Sequence, residues 1–191
     1  MKRATLLIAF AIAGTVYAGD SGWWAGVGFG PLELRDVPKY YSHFEKDNIW
    51  ELSVAKDLKS WMDVELKELQ YSPQDVALYG GTNRFKMDSL MLSLRVHPFD
   101  WVVRPFLAGG LNGTRSERSL YITVPGATWQ TETTTALGWQ ASCGVEARIS
   151  KAFMLYAEYR YLQSPGPEMY GTYSDDDIEA DIITAGLKYG F

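Results

Sequence analysis

The chain of 191 residues is 47% hydrophobic and 14% aromatic, holds 18 glycines and carries a formal net charge of −5; its mean hydropathy is −0.16. An acidic balance without a basic patch argues against nucleic acid, whose phosphates call for clustered Lys and Arg. No apolar run approaches the ~20 residues that a membrane-crossing helix requires, and the lone cysteine, Cys143, leaves nothing to form an intrachain disulfide.

At the amino end Lys2 and Arg3 precede an apolar run from Leu6 to Ala13, and Val16-Tyr17-Ala18 offers small residues at the two positions that a signal peptidase reads. That pattern predicts a cleaved signal peptide over 1–18 and one exported domain over 19–191. Cys143 lies far from the cleavage point, so no lipid attachment is expected there.

Beyond the leader the sequence alternates. Successive side chains of a strand point to opposite faces, so an alternating run suits a wall with lipid outside and a polar or crowded lumen inside. The first strand sets Trp23, Ala25, Val27 and Phe29 against Trp24, Gly26, Gly28 and Gly30. A second, near 49–57, sets Trp50, Leu52 and Val54 against Glu51, Ser53 and Ala55, and a turn over 56–60 leads to a third near 61–71. There Met62, Val64 and Leu66 oppose Asp63, Glu65 and Lys67, and Glu68 would face lipid unless a bulge shifts the register.

The fourth strand sets Leu90, Leu92, Leu94 and Val96 against Met91, Ser93, Arg95 and His97, then turns at Pro98-Phe99-Asp100. The fifth opposes Val103, Leu107 and Leu111 to Arg104, Phe106, Ala108 and Asn112, with Pro105 acceptable only where its missing N–H meets a ladder irregularity. The sixth runs Leu137 to Ile149 with Gln140, Glu146 and Arg148 on the polar face. The seventh sets Leu155, Ala157, Tyr159 and Tyr161 against Tyr156, Glu158, Arg160 and Leu162; the eighth sets Ile183, Ala185, Leu187, Tyr189 and Phe191 against Thr184, Gly186, Lys188 and Gly190.

Eight strands of roughly 9 to 11 residues predict an all-β, antiparallel, up-and-down transmembrane barrel. Both termini then lie on the periplasmic side, and the segments 31–48, 70–86, 113–134 and 163–179 face outside. Within the third, SLYITV and TWQTET around Pro125-Gly126-Ala127 read either as a protruding hairpin or as a long loop; Leu120, Tyr121, Ile122 and Trp129 are its candidate binding residues. The acidic run Asp175, Asp176, Asp177, Glu179 and Asp181 offers oxygen ligands to a hard cation, but its spacing matches no calcium loop and a solvated face is expected. No metal and no cofactor is therefore expected. Lys39, Tyr40, Tyr41, His43 and Lys46 are weaker candidates for contacts to lipid phosphates or glycans.

The expected lumen carries Glu51, Asp63, Glu65, Glu146 and Glu158 beside Lys67, Arg95, Arg104, Arg148, Arg160 and Lys188. Charges so nearly balanced in a bore that side chains can fill read as a plug of ion pairs, with Glu146 and Arg148 near enough to pair with Glu158 and Arg160 across one hairpin. Unpaired, the same arginines would line a path for ions or small solutes.

The opening WWAGVGFG, the segments LGWQASCGVEARIS and MLYAEYRYL, and the closing AGLKYGF resemble the small bacterial outer-membrane β-barrel family that includes the OmpX-like and Ail-like barrels and the OmpA-like transmembrane domain. The resemblance implies a closed envelope barrel, non-enzymatic, with outer loops that meet ligands and an outer wall in contact with outer-membrane lipid and lipopolysaccharide. Leu187, Tyr189 and the terminal Phe191 resemble the C-terminal signal read by the barrel-assembly machinery. A lipid A-modifying enzyme is the remote alternative. His43 with Asp88-Ser89 is the comparable set for a palmitoyltransferase, and the amphipathic helix that would precede such a barrel is missing from the pattern.

Overall fold

The structure is a computed structural model, and it describes residues 22–35, 47–78, 81–122, 130–165 and 177–191. Among these are eight strands: β1 (Trp23–Arg35), β2 (Asp47–Lys59), β3 (Met62–Leu78), β4 (Gly81–Val96), β5 (Val103–Ile122), β6 (Gln130–Arg148), β7 (Phe153–Pro165) and β8 (Asp177–Gly190). Each pairs antiparallel with its chain neighbour, and β1 pairs with β8 to close the barrel. The expected leader over 1–18 lies outside the described residues.

Alternation sets the faces as the sequence implies. Along β7 buried and exposed positions alternate from Phe153 to Tyr159, with Met154, Tyr156, Glu158 and Arg160 inward. Outward stand Val27, Leu52, Leu66, Leu92, Leu107, Val145, Leu155 and Ile183, a continuous apolar band that no soluble surface of this size would carry. Aromatic pairs rim it. Phe29 packs on Trp50 at 4.8 Å and Trp139 on Tyr161 at 5.4 Å toward the outer end, while Phe153 meets Tyr189 at 5.3 Å toward the termini.

Strand lengths differ from expectation. They run from 13 to 20 residues, because β3, β4, β5 and β6 continue into segments read as outer loops. Pairing between β3 and β4 persists to Leu78 opposite Gly81, and between β5 and β6 to Leu120 opposite Gln130. The third outer segment is thus a hairpin as far as it is described, and the second is one as well. The turn from β2 to β3 is also tighter than 56–60, with only Ser60 and Trp61 between the strands.

Glu68 does face outward. The register shift in β3 falls later, between Tyr71 and Gln74, and the Gln70 side-chain amide donates to Glu68 at 3.1 Å. Prolines sit where a donor is dispensable. The ladder to β4 begins only at Leu107, past Pro105, and the β1–β8 ladder skips Gly30 and Pro31.

Candidate functional site

The lumen side chains come from inward positions of seven strands. Glu51, Asp63, Glu65, Lys67, Arg95, Arg104, Glu146, Glu158, Arg160 and Lys188 are all buried. Five carboxylates therefore meet five cations, with His97 buried beside them. Lys67 Nζ lies 2.6 Å from Glu158 and 3.3 Å from both Glu51 and Glu65. Arg160 spans Glu51 at 3.1 Å and Glu158 at 2.9 Å. Lys188 reaches Glu65 at 2.7 Å and Glu146 at 3.0 Å, and Glu146 also receives Arg95, together with Arg104 at 3.0 Å. Toward the periplasmic mouth His97 Nε2 and Asp63 are 2.6 Å apart, and the Arg95 guanidinium stacks 4.1 Å from the centre of the Phe106 ring.

Two expectations about this network need correction. Arg148 is exposed at the end of β6, one rung past the network, where it lies opposite Met154. Glu146 and Arg148 also do not pair with Glu158 and Arg160. The register sets Glu146 opposite Tyr156, so its diagonal neighbour toward the outside on β7 is Glu158, a like charge. Glu146 turns instead to cations from β4, β5 and β8.

One rung further out, charge gives way to hydrocarbon. The inward position after Glu51 is Ile49, after Lys67 Leu69, after Arg160 Leu162 and after Thr184 Ile182; with Leu32 and Met91 these form one buried cluster. The facing wall is polar but uncharged: Gln140 donates to Ser93 at 2.8 Å, Thr114 to Asn112 at 2.9 Å, and Ser89 and Thr114 lie 3.0 Å apart. Sequence reading missed this apolar cluster because Leu32, Leu69, Tyr71 and Phe85 fell in segments taken as outer loops or strand ends. Continuing the alternation past the girdle would have placed them inward.

The extended strands form a second feature. The β2–β3 ladder stops at Ile49 opposite Tyr71, and the β6–β7 ladder at Trp139 opposite Gln163. Beyond those rungs β3, β4, β5 and β6 stand as a four-stranded wall whose two edges have no ladder partner among the described residues. Asn112 seals the point where β6 and β7 part, donating to the carbonyls of Trp139 at 2.9 Å and Gln163 at 3.3 Å. Leu120, Tyr121 and Ile122 lie on the outer end of β5, with side chains outside the described residues, as is Trp129.

The remaining candidates separate. Asp88 points outward and lies 3.1 Å from Lys86, whereas Ser89 points inward to Thr114, so the two share no face; His43 lies outside the described residues. Asp181 is occupied by Arg35 and by the Tyr159 hydroxyl at 2.5 Å, and Asp177 by Gln163 at 2.5 Å. Among the described residues no group of three His, Cys, Asp or Glu is placed to hold a metal ion. Leu187 and Tyr189 stand on the outward face of β8, and the Phe191 amide donates to the Trp23 carbonyl at 3.0 Å.

Comparison with solved structures gives the same architecture at low identity. Neisserial surface protein A aligns with a TM-score of 0.67 at 17% identity, covering 91% of this chain and 99% of that one. Ail, the attachment invasion locus protein of Yersinia pestis, aligns with a TM-score of 0.60 at 14% identity, covering 88% and 97%. The N-terminal barrel domain of OprF from Pseudomonas aeruginosa aligns with a TM-score of 0.52 at 11% identity, covering 90% and 98%. Curated protein sequences yield no match. The model of the outer membrane protein beta-barrel domain matches residues 4–191, nearly the whole chain, and the protein belongs to that bacterial outer-membrane family.

Proposed function

We propose that the protein is a non-enzymatic outer-membrane barrel with a sealed lumen, whose outer wall binds an extended segment of another protein by strand addition. The observation that carries this reading is the β6 edge from Gln130 to Leu137, which pairs with β5 on one side and has no ladder partner among the described residues on the other, about 26 Å of edge at ~3.3 Å per residue. Its sequence, QTETTTAL, has no proline and no lysine, and its one charge is Glu132. The other edge is protected: β3 carries Pro73, a register shift before Gln74 and Asp75.

That asymmetry argues for a foreign partner. Barrels in one membrane share an orientation, so β6 could pair antiparallel with a neighbour's β3 but not with its β6. The protected β3 edge disfavours the first arrangement. The segment that fits is β-branched, polar and carries a Lys or Arg opposite Glu132. Support for a sealed lumen comes from the paired arginines and the apolar cluster above them, which disfavour the pore reading. Outer-membrane lipid, lipopolysaccharide and the assembly machinery remain proposed partners, as does leader cleavage near Ala18.

The test is retention of a library of extended decapeptides on the purified barrel in lipid nanodiscs. Retained peptides should be β-branched and basic, and should be lost in Thr133→Lys/Thr135→Lys. Retention indifferent to those charges would remove the β6 edge from the proposal, and discrete single-channel openings of the same sample in planar bilayers would replace the sealed barrel with a pore.

A further inference from the structure

The seam where the first and last strands meet is poor in side chains. Gly26, Gly28 and Gly30 supply the three consecutive inward positions of β1 between Trp24 and Leu32, and Gly186 faces Gly28 across the seam. Glycine weakens a strand and commonly marks a place where another group approaches its backbone closely. Here the approaching group is Tyr156 of β7. One rung around the barrel reads Tyr156, Gly186, Gly28, Glu51 in register through β7, β8, β1 and β2. The Tyr156 ring lies along that rung. A methyl added at Gly186 would meet the Val27 carbonyl oxygen and sit 2.5 Å from Cε1 and 2.7 Å from Cζ of the ring, and one added at Gly28 would collide with its hydroxyl and press on Glu51 at 2.8 Å.

The hydroxyl continues across and donates to Glu51 Oε1 at 2.8 Å, an oxygen that also receives Thr184 of β8 at 3.1 Å. Lys67 and Lys188 lie 5.5 Å and 5.2 Å from the ring centre, a geometry that favours cations over an aromatic face. A single side chain thus starts on one side of the closing seam and is anchored on the other.

We propose that Tyr156 is the clasp of the barrel: its ring and hydroxyl cover Gly28 of β1 and Gly186 of β8, and its bond to Glu51 ties β7 to β2 across the ladder that closes the barrel. This goes beyond the proposed function, since it concerns closure and not ligand binding. The absent side chains at Gly28 and Gly186 leave the room that the ring and its hydroxyl occupy, Gly186 also lying close under the Val27 carbonyl, and Tyr156 sets how fast the seam closes and how seldom it reopens.

The test follows closure of the full chain refolding into lipid vesicles, in a Cys143→Ser background. Disulfide formation between Val27→Cys and Leu187→Cys, register partners on the outward face of the seam, reports closure. A pair at Leu92→Cys and Leu111→Cys, register partners of β4 and β5, reports pairing elsewhere. Tyr156→Phe should delay the seam pair about 3-fold or more while leaving the β4–β5 pair unchanged. Gly28→Ala should delay the seam strongly with Tyr156 present, and markedly less with Phe at 156, because the colliding hydroxyl is gone. Gly30→Ala meets the backbone carbonyl of Ile183 instead and should cost the same in both backgrounds. If Gly28→Ala prevents folding outright, the folded fraction is the reading, and its recovery with Tyr156→Phe supports the clasp. Equal delays at both disulfide pairs, or a Gly28→Ala effect independent of residue 156, would overturn it.

Discussion

Glu146→Gln tests whether the lumen is held by dry ion pairs. Glu146 is 1% exposed and serves Arg95, Arg104 and Lys188 at once, with Arg104 and Lys188 both at 3.0 Å. Glutamine keeps the volume and removes the charge, so three buried cations lose a shared carboxylate. Removing one partner of a buried pair costs about 3–5 kcal/mol, mainly because the charges left behind stay desolvated. With a urea dependence of about 2 kcal/mol/M, the unfolding midpoint should fall by about 1.5–2.5 M. The assay is equilibrium urea unfolding from lipid vesicles, followed by tryptophan fluorescence and by gel mobility of unheated samples. Glu146→Gln/Lys188→Met, which removes a cation along with the anion, should recover a large part of the loss. A fall of less than about 0.5 M for the single variant would refute the reasoning, since pairs so cheaply broken behave like solvent-screened surface bridges.

Glu158→Ala alone should leave the barrel electrically silent in planar bilayers, because the apolar cluster at Leu69 and Leu162 still bars ions; adding Leu69→Ser and Leu162→Ser should produce discrete openings, and a conducting single variant would locate the barrier in the ion pairs alone. Cys143 is exposed on the lipid side between Leu107 and Tyr159. A charged, membrane-impermeant maleimide should label it in urea and not in vesicles, and labelling of the inserted protein would take that face out of lipid. Glu68→Leu should stabilise the barrel by up to about 1 kcal/mol, read as a higher urea midpoint, because the carboxylate faces outward at the margin of the apolar band; destabilisation would mean that its bond to Gln70 matters more than its exposure to lipid.

Much of the barrel was legible in the residues because strand faces are a local property. Trp50, Leu52 and Val54 against Glu51, Ser53 and Ala55 assign inside and outside with no knowledge of the neighbouring strands, and a period of two does so wherever it persists. The charged lumen residues followed from the same parity, and all but Arg148 lie within the network. Polar alternation beyond the girdle carries a weaker signal, so the outer ends of β3, β4, β5 and β6 read as loops, and the apolar cluster that begins there went unseen.

Alternation along the chain by itself determined the eight strands, their faces and the membrane they cross. Only the closed structure decided which lumen charges meet. Glu146 faces Arg95 from β4, Arg104 from β5 and Lys188 from β8 because the stagger of the strands around the barrel, and not the spacing along any one of them, sets which side chains share a level in a narrow bore. The same stagger aligns Tyr156 with Gly186, Gly28 and Glu51, residues separated widely in the chain and joined only through the β1–β8 ladder that closes the barrel.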